Sequence, residues 1–187
     1  FLDTDDNEDE LDGGAENWEV VPVADDKRIG IKTSILEEKS TACEMLKIYV
    51  SQLGGGFAPY VANVSQIMLT LLEFVFEEKV RMCAASTLAP LLYSAMQDQT
   101  LLQGVPQMWG AFAPALIKAA KNETDHEVLS WQIESLKDCI EQVGAVPGCI
   151  TPELIQQVGA GIVCWMDDYE GRYGQRLAET EDEDYDA

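Results

Sequence analysis

Residues 80–92 read VRMCAASTLAPLL, and this stretch decides the fold. Its apolar residues recur at helical spacing, which predicts one long helix. Ala84 and Ala85 lie on the predicted packing face, where their small side chains allow a neighbouring helix to approach closely. Pro90 lies inside the same helix and would kink it. These features are typical of the first helix of a stacked helix pair.

Helical periodicity continues on both sides of this stretch. It predicts six helices, at about 33–53, 58–77, 78–97, 105–121, 125–143 and 152–170. Gly54–Gly56 end the first helix, and Pro152 stands at the first helical position of the last. The alternation typical of strands is brief, near 20–23 and 29–31. The sequence therefore predicts an all-α fold.

The six helices form three pairs in which matching positions recur. Ala84 follows Ala42 by 42 residues, and Leu136 follows Leu88 by 48 residues. Two-helix units of about 40–47 residues are the signature of HEAT or armadillo solenoids. We therefore predict a HEAT-repeat α-solenoid over residues 29–178. Its three repeats are predicted at approximately 33–77, 78–121 and 125–170.

The charge of the chain is concentrated at its two ends. The 187 residues carry 34 acidic and 12 basic side chains, a formal net charge of −22. Residues 1–26 hold 11 acidic residues and residues 179–187 hold six, with no Lys or Arg in either segment. We predict a disordered, flexible acidic segment at 1–28 and an acidic linker at 179–187. This charge disfavours binding to nucleic acid or to an anionic membrane surface.

The residue types needed for chemistry are scarce. His126 is the only histidine, and the five cysteines contain no C-x-x-C pair. This usage is typical of reduced, mostly buried thiols in a cytosolic or nuclear protein. The acidic run at the N-terminus lacks the glycine and the ligand spacing of a calcium-binding loop. We predict no enzymatic activity, no metal site and no cofactor.

Two polar stripes are the candidate binding surfaces. The first recurs at steps of three and four residues along the second helix and consists of Asn63, Gln66, Thr70, Glu73 and Glu77. The second lies on the sixth helix and consists of Gln156, Gln157, Asp167, Asp168 and Glu170. Carboxylates beside Trp165 and Tyr169 suit a Lys or Arg side chain of a partner. The alternative is two ordinary solvated faces, with Trp165 in the core. The fourth helix has few polar residues and is predicted mainly to pack.

The sequence resembles the karyopherin-β family of nuclear transport receptors, within it the importin beta-3 subfamily. The resemblance is carried by residues 29–53, IGIKTSILEEKSTACEMLKIYVSQL, and it covers nearly the whole chain. Further matching segments are Trp18–Val21, Leu36–Lys39, Val80–Arg81, Gln107–Trp109, Ala115–Ala119, Cys139–Glu141 and Asp182–Asp186. The pattern departs from the family in two loops, between Gln97 and Pro106 and around 144–151.

The resemblance implies an internal section of a receptor with many HEAT repeats. Such receptors carry basic cargo, including ribosomal proteins and histones, between cytoplasm and nucleus and release it when Ran-GTP binds. The first helices of each pair would meet Phe-Gly nucleoporins, with possible pocket rims at Tyr93, Met96, Lys137 and Ile140. The second helices would line a concave face that holds cargo and Ran, which includes both polar stripes. The alternative is a HEAT-repeat scaffold for a complex unrelated to transport.

The acidic N-terminal run offers a second way to meet a basic partner. Its carboxylates are Asp3, Asp5, Asp6, Glu8, Asp9 and Glu10. Clustered charge of one sign attracts a basic protein at long range, in a manner that salt weakens. The alternative is a linker that only keeps the protein soluble.

Overall fold

The computed structural model describes residues 2–3, 18–24 and 27–185, with side chains described for residues 32–171. In this part of the chain the helices are α1 Thr33–Leu53, α2 Val61–Leu71, α3 Glu78–Met96, α4 Val105–Asn122, α5 His126–Val143 and α6 Pro152–Tyr185. Short 3-10 helices, Gly54–Tyr60 and Leu102–Gly104, precede α2 and α4. Three strands precede α1: β1 Leu2–Asp3, β2 Trp18–Ala24 and β3 Lys27–Lys32.

The helices pack in two layers. In the first layer, α3 lies between α1 and α5 and packs along both. In the second layer, α2 packs against α3, and α4 packs against α3, α5 and α6. Each pair of helices therefore packs against the next pair along the chain, as in a repeat solenoid. This arrangement confirms the predicted HEAT-repeat α-solenoid.

Helix α3 forms the centre of the core. Val80, Ala84, Ala85, Leu88 and Leu91 are all fully buried. The two alanines leave room for the backbones of neighbouring helices, which is why α3 can pack on α1 and α5 at once. From the second layer, α4 contributes large side chains that are also buried, among them Trp109, Phe112 and Leu116.

The second helix is shorter than the predicted span 58–77. It ends at Leu71, and the chain then turns so that Phe74 and Phe76 pack near the start of α1. Their ring centroids are 5.6 Å apart, and the Lys39 ammonium lies 4.9 Å from the Phe74 ring centroid. Phe76 is buried against Leu36. Because this contact draws the chain away from the axis of α2, the residues after Leu71 do not continue its helical stripe.

The N-terminal segment contains a hairpin where the sequence predicts flexibility. β2 and β3 pair antiparallel, and β1 pairs with the other edge of β3. The β-branched residues at 20–23 and 29–31 are too few to predict strands alone, but they suit strands once the two segments pair. These strands replace the predicted flexibility at residues 2–3, 18–24 and 27–28. Residues 4–17, which carry most of the predicted acidic steering residues, lie outside the described residues.

The last helix is longer than predicted. α6 continues to Tyr185, past the predicted end at 170 and through most of the predicted acidic linker at 179–187. Residues 175–181 read QRLAETE, and they are mostly strong helix formers with no Gly or Pro. This intrinsic preference favours the helix after Gly174, whereas Gly171, Gly174 and the repulsion among the carboxylates oppose it.

Candidate partner-binding surfaces

Three of the five residues predicted for the first stripe lie together on α2. Asn63, Gln66 and Thr70 are all exposed. Their spacing of three and four residues places them on one side of the helix. The Thr70 hydroxyl donates a hydrogen bond of 2.9 Å to the Gln66 backbone carbonyl. The two side-chain amides therefore provide most of the exposed polar groups of this stripe.

The other two residues of the first stripe lie elsewhere, which corrects the prediction. Glu73 follows the end of α2 and forms an ion pair of 2.9 Å with Lys118 of α4. Glu77 is the N-cap of α3, and its carboxylate accepts a hydrogen bond of 3.2 Å from the Lys79 backbone N–H. The early turn after Leu71 is the physical reason for both differences. The carboxylates of this stripe are thus used within the fold.

A groove between α4 and α6 contains the first two residues of the second stripe. Gln156 and Gln157 lie there beside Lys118 and Lys121. The groove has a volume of about 490 Å³ and is completed by Pro114, Ile117, Asn122 and Ala160. None of its lining residues is acidic. The local charge is therefore the opposite of the acidic surface predicted for this layer of helices.

The acidic residues of the second stripe lie farther along α6. Asp167, Asp168 and Glu170 are all exposed. Asp167 follows Gln156 by 11 residues, which is close to three helical turns, so the two share a face of α6 about 16 Å apart along the axis. The structure thus separates the predicted stripe into an amide-bearing part beside α4 and an acidic part beyond it.

The aromatic residues near this acidic part differ in burial. Trp165 is only 8% exposed, which agrees with the alternative that places it in the core. Its indole Nε1 is buried and has no hydrogen-bond partner in the described part of the chain. Tyr169 is 57% exposed and lies with Glu170 at the edge of an apolar groove of about 400 Å³. Tyr169, and not Trp165, is therefore the aromatic ring that a cationic partner can reach.

The predicted rims of a Phe-Gly pocket lie on two helices of the first layer, α3 and α5. The Tyr93 ring lies against Gly54. A Cβ atom placed on that glycine would be 3.6 Å from Tyr93 Cε1. Lys137 lies on α5 and forms an ion pair of 3.2 Å with Asp138. Met96 and Ile140 pack against the core. Tyr93 thus lies on the side of α3 that faces the first repeat.

Trp131 is a surface residue that the sequence reasoning does not identify. It is 39% exposed, and the Lys47 ammonium of α1 lies 5.3 Å from its ring centroid. The ring lines a groove of about 200 Å³ that crosses the first helices of all three pairs. The other lining residues are Glu44, Lys79, Met82, Cys83, Ser86 and Glu127. The sequence does contain a signal for the exposure of Trp131. This residue follows Glu127 by four positions and therefore shares the polar face of α5.

The cysteines are arranged as inert thiols. Cys43, Cys83, Cys139 and Cys149 are buried and Cys164 is exposed. Burial raises the pKa of Cys83 to about 11 and that of Cys139 to about 12. Both thiols are therefore protonated at neutral pH, whereas a nucleophile or a metal ligand requires the thiolate.

Within residues 2–3, 18–24 and 27–185 no three His, Cys, Asp or Glu side chains come together in a way that would hold a metal ion. In the same residues no helix has the length and apolar character needed to cross a bilayer.

The fold and these surfaces define a HEAT-repeat α-solenoid with polar surfaces on both helix layers. The sequence model described as Importin repeat 6 matches residues 128–187. Importin subunit beta-3 of Saccharomyces cerevisiae is 30% identical over 179 residues, which cover 89% of this chain and 16% of that protein. The chain therefore belongs to the karyopherin-β family. It spans about 16% of the length of this relative.

Solved structures agree with this assignment. The structure of Kap121p bound to RanGTP has a TM-score of 0.77 and 27% identity, covering 90% of this chain and 16% of Kap121p. Kap121p bound to Nup53p has a TM-score of 0.74 and 28% identity, covering 86% and 15%. The chain thus shares both its fold and part of its sequence with one section of these longer solenoids.

Proposed function

We propose that the chain is part of a nuclear import receptor and that its second layer of helices contacts basic protein cargo. The observation that carries this proposal is the charge of α6. From Pro152 to Gly171 the helix contains four acidic residues and no Lys or Arg, and three of these carboxylates are clustered at 167–170. The relatives support the wider function, since Kap121p has been captured with RanGTP and with Nup53p.

The acidic part of α6 suits Lys and Arg side chains. Exposed carboxylates form charge-assisted hydrogen bonds to ammonium and guanidinium groups. The exposed Tyr169 ring beside Glu170 adds a surface for a cation. Ribosomal proteins and histones are rich in such side chains and are the proposed cargo. The whole receptor would move between cytoplasm and nucleus through nuclear pores, with Ran-GTP releasing the cargo.

The first layer would meet Phe-Gly nucleoporins at the Trp131 groove. Met82 and Trp131 provide the apolar surface that a phenylalanine ring requires, and the groove opens on the three first helices. This location is proposed in addition to the predicted rim residues Tyr93, Met96, Lys137 and Ile140. Nucleoporin binding at Trp131 would not compete with cargo binding at the acidic part of α6, because the two lie on different helix layers.

Ran-GTP control separates an import receptor from a scaffold. The full-length receptor is incubated with a labelled basic cargo peptide, and binding is measured by fluorescence anisotropy with and without Ran-GTP. We expect Ran-GTP to release the peptide. Binding that Ran-GTP leaves unchanged would contradict the import function and favour the HEAT-repeat scaffold.

Charge reversal tests the proposed cargo surface. The variant Asp167→Lys, Asp168→Lys, Glu170→Lys should bind the basic peptide about tenfold more weakly, because each exposed pair contributes up to about 1 kcal/mol. The matched control, Glu37→Lys, Glu38→Lys, Glu141→Lys, makes the same change in net charge at exposed positions of the first layer. Equal affinities of the two variants would remove α6 from the cargo surface.

A further inference from the structure

We propose that the groove between α4 and α6 binds an acidic, extended peptide segment of a partner protein. The groove belongs to the same helix layer as the proposed cargo surface, and the inference rests on the proposed function in taking that layer as the one that faces partners. This inference differs from the cargo proposal in the charge of the ligand, since the charge of the groove is opposite to that of the acidic part of α6. The second layer would then recognise two segments of opposite charge.

Two lysines set the charge of the groove. Lys118 and Lys121 are exposed and lie one turn apart on α4. The lining residues include no Asp or Glu, although the chain as a whole has a net charge of −22. Lys121 has no carboxylate within 4.0 Å in the described part of the chain. The groove therefore has a local excess of positive charge that an acidic ligand would neutralise.

The ion pair that Lys118 already makes is weak enough to be replaced. Lys118 and Glu73 have side chains that are 66% and 46% exposed, at an N–O distance of 2.9 Å. Such a solvent-exposed pair contributes only about 0–1 kcal/mol. A carboxylate of the ligand can share Lys118 with Glu73 or displace it. Glu73 thus acts as a weak internal competitor for an acidic ligand.

The remaining lining residues suit a peptide in the extended conformation. The side-chain amides of Asn122, Gln156 and Gln157 each offer a donor and an acceptor, which match backbone carbonyl and N–H groups. Pro114, Ile117 and Ala160 provide an apolar floor.

The length of the groove fixes the pattern of the ligand. From residue 114 to residue 121 the helix rises about 10 Å, which corresponds to about three residues of extended peptide. An acidic–apolar–acidic pattern places two carboxylates on the side of the lysines and one apolar side chain on the floor. Alternate side chains of an extended chain point to opposite sides, which permits this arrangement.

The test uses the full chain and a labelled peptide with a central Asp-Leu-Asp sequence, measured by fluorescence anisotropy at low salt. We expect the variant Lys118→Glu, Lys121→Glu to lose at least about tenfold in affinity. The matched control, Lys32→Glu, Lys137→Glu, makes the same charge change at exposed positions outside the groove and should bind within about twofold of the parent. Glu73→Gln should strengthen binding, because it removes the competitor of the ligand.

Equal losses in the groove variant and the control would overturn the proposal, because they would show only an effect of net charge. Undiminished binding of an Asn-Leu-Asn peptide would also overturn it. If the double charge reversal does not fold, the variant Lys118→Gln, Lys121→Gln replaces it. This proposal and the cargo proposal fail separately, because the basic cargo peptide is tested with the α6 carboxylate variants and the acidic peptide with the α4 lysine variants.

Discussion

At the scale of single residues, one partly buried ion pair joins all three helix pairs. The Arg81 guanidinium of α3 donates to both carboxylate oxygens of Glu123, with Nε–Oε2 and Nη2–Oε1 distances of 2.8 and 3.2 Å. Its Nη1 also donates to the Phe74 carbonyl at 3.0 Å. Glu123 accepts the backbone N–H groups of Thr124 and Asp125, both at 3.1 Å. The pair therefore connects the loop after α2, the start of α3 and the loop before α5.

Replacement of Arg81 should destabilise the fold strongly. The side chains of Arg81 and Glu123 are only 11% and 6% exposed, so Arg81→Met leaves a largely buried carboxylate without its cation. The expected loss is about 3–5 kcal/mol in the free energy of unfolding, measured by urea denaturation. Lys118→Met is the control, because it removes a solvent-exposed pair and should cost at most about 1 kcal/mol. Similar losses for both variants would contradict the special role of Arg81.

The thiols allow a second prediction at this scale. At neutral pH one cysteine, Cys164, should react rapidly with a thiol reagent, and the four buried cysteines should react only after unfolding. Cys164→Ser should abolish the rapid phase. Two or more rapidly reacting thiols in the folded chain would contradict the burial pattern.

The raised pKa of Cys139, about 12 against an ordinary 9.0, means that its proton is released on unfolding above pH 9. Its contribution to stability is therefore complete below about pH 9 and is lost as the pH rises towards 12.

At the scale of helices and strands, the start of α5 depends on one cap. The Asp125 carboxylate accepts a hydrogen bond of 2.9 Å from the Val128 backbone N–H. Asp125→Ala should cost about 1 kcal/mol of stability, because one backbone donor of the first turn loses its acceptor. Asp125→Asn should retain most of the stability, since Asn caps helices about as well as Asp. A thermal unfolding series of the three proteins compares them. An Asn variant as unstable as the Ala variant would show that charge, and not the cap, is responsible.

The same scale explains which elements the sequence predicts well. The predicted bounds of α1, α3, α4 and α5 agree with the structure to within one residue, because each has strong periodicity and a Gly, Pro or cap at an end. The end of α2 depends on the contact of Phe76 with Leu36, which lies in a different helix. The strands depend on pairing between segments. Such tertiary contacts have no periodic signal in the chain.

The same limit applies to the candidate binding surfaces, since tertiary contacts leave no periodic signal in the sequence. The exposed amides of α2 and α6 are found where helical spacing predicts them. The lysine-bearing groove is not predicted, because it exists only where α4 packs beside α6. Trp131 is missed for a similar reason, since its groove is assembled from three helices that are far apart in sequence. Periodicity identifies the exposed face of one helix, whereas a groove requires knowledge of its neighbour.

At the scale of the whole molecule, positive and negative groups occupy separate places on one layer. The lysines lie beside Gln156 and Gln157, and the acidic part of α6 begins about 16 Å farther along the same helix. A partner with one acidic and one basic segment could contact both places at once. Linked contacts of this kind raise the total affinity above that of either segment, provided that the spacing of the ligand matches.

The acidic N-terminal run should affect how fast a basic partner arrives. Replacing Asp3, Asp5, Asp6, Glu8, Asp9 and Glu10 by Asn or Gln should lower the association rate of a basic peptide and weaken its dependence on salt. The dissociation rate should stay nearly constant, because long-range attraction acts mainly before contact. Stopped-flow fluorescence at several salt concentrations measures both rates. The control neutralises six acidic residues of the first layer, namely Glu37, Glu38, Glu44, Glu134, Asp138 and Glu141. If both variants slow association equally, net charge alone is responsible; if only dissociation changes, the run makes direct contacts with the bound peptide.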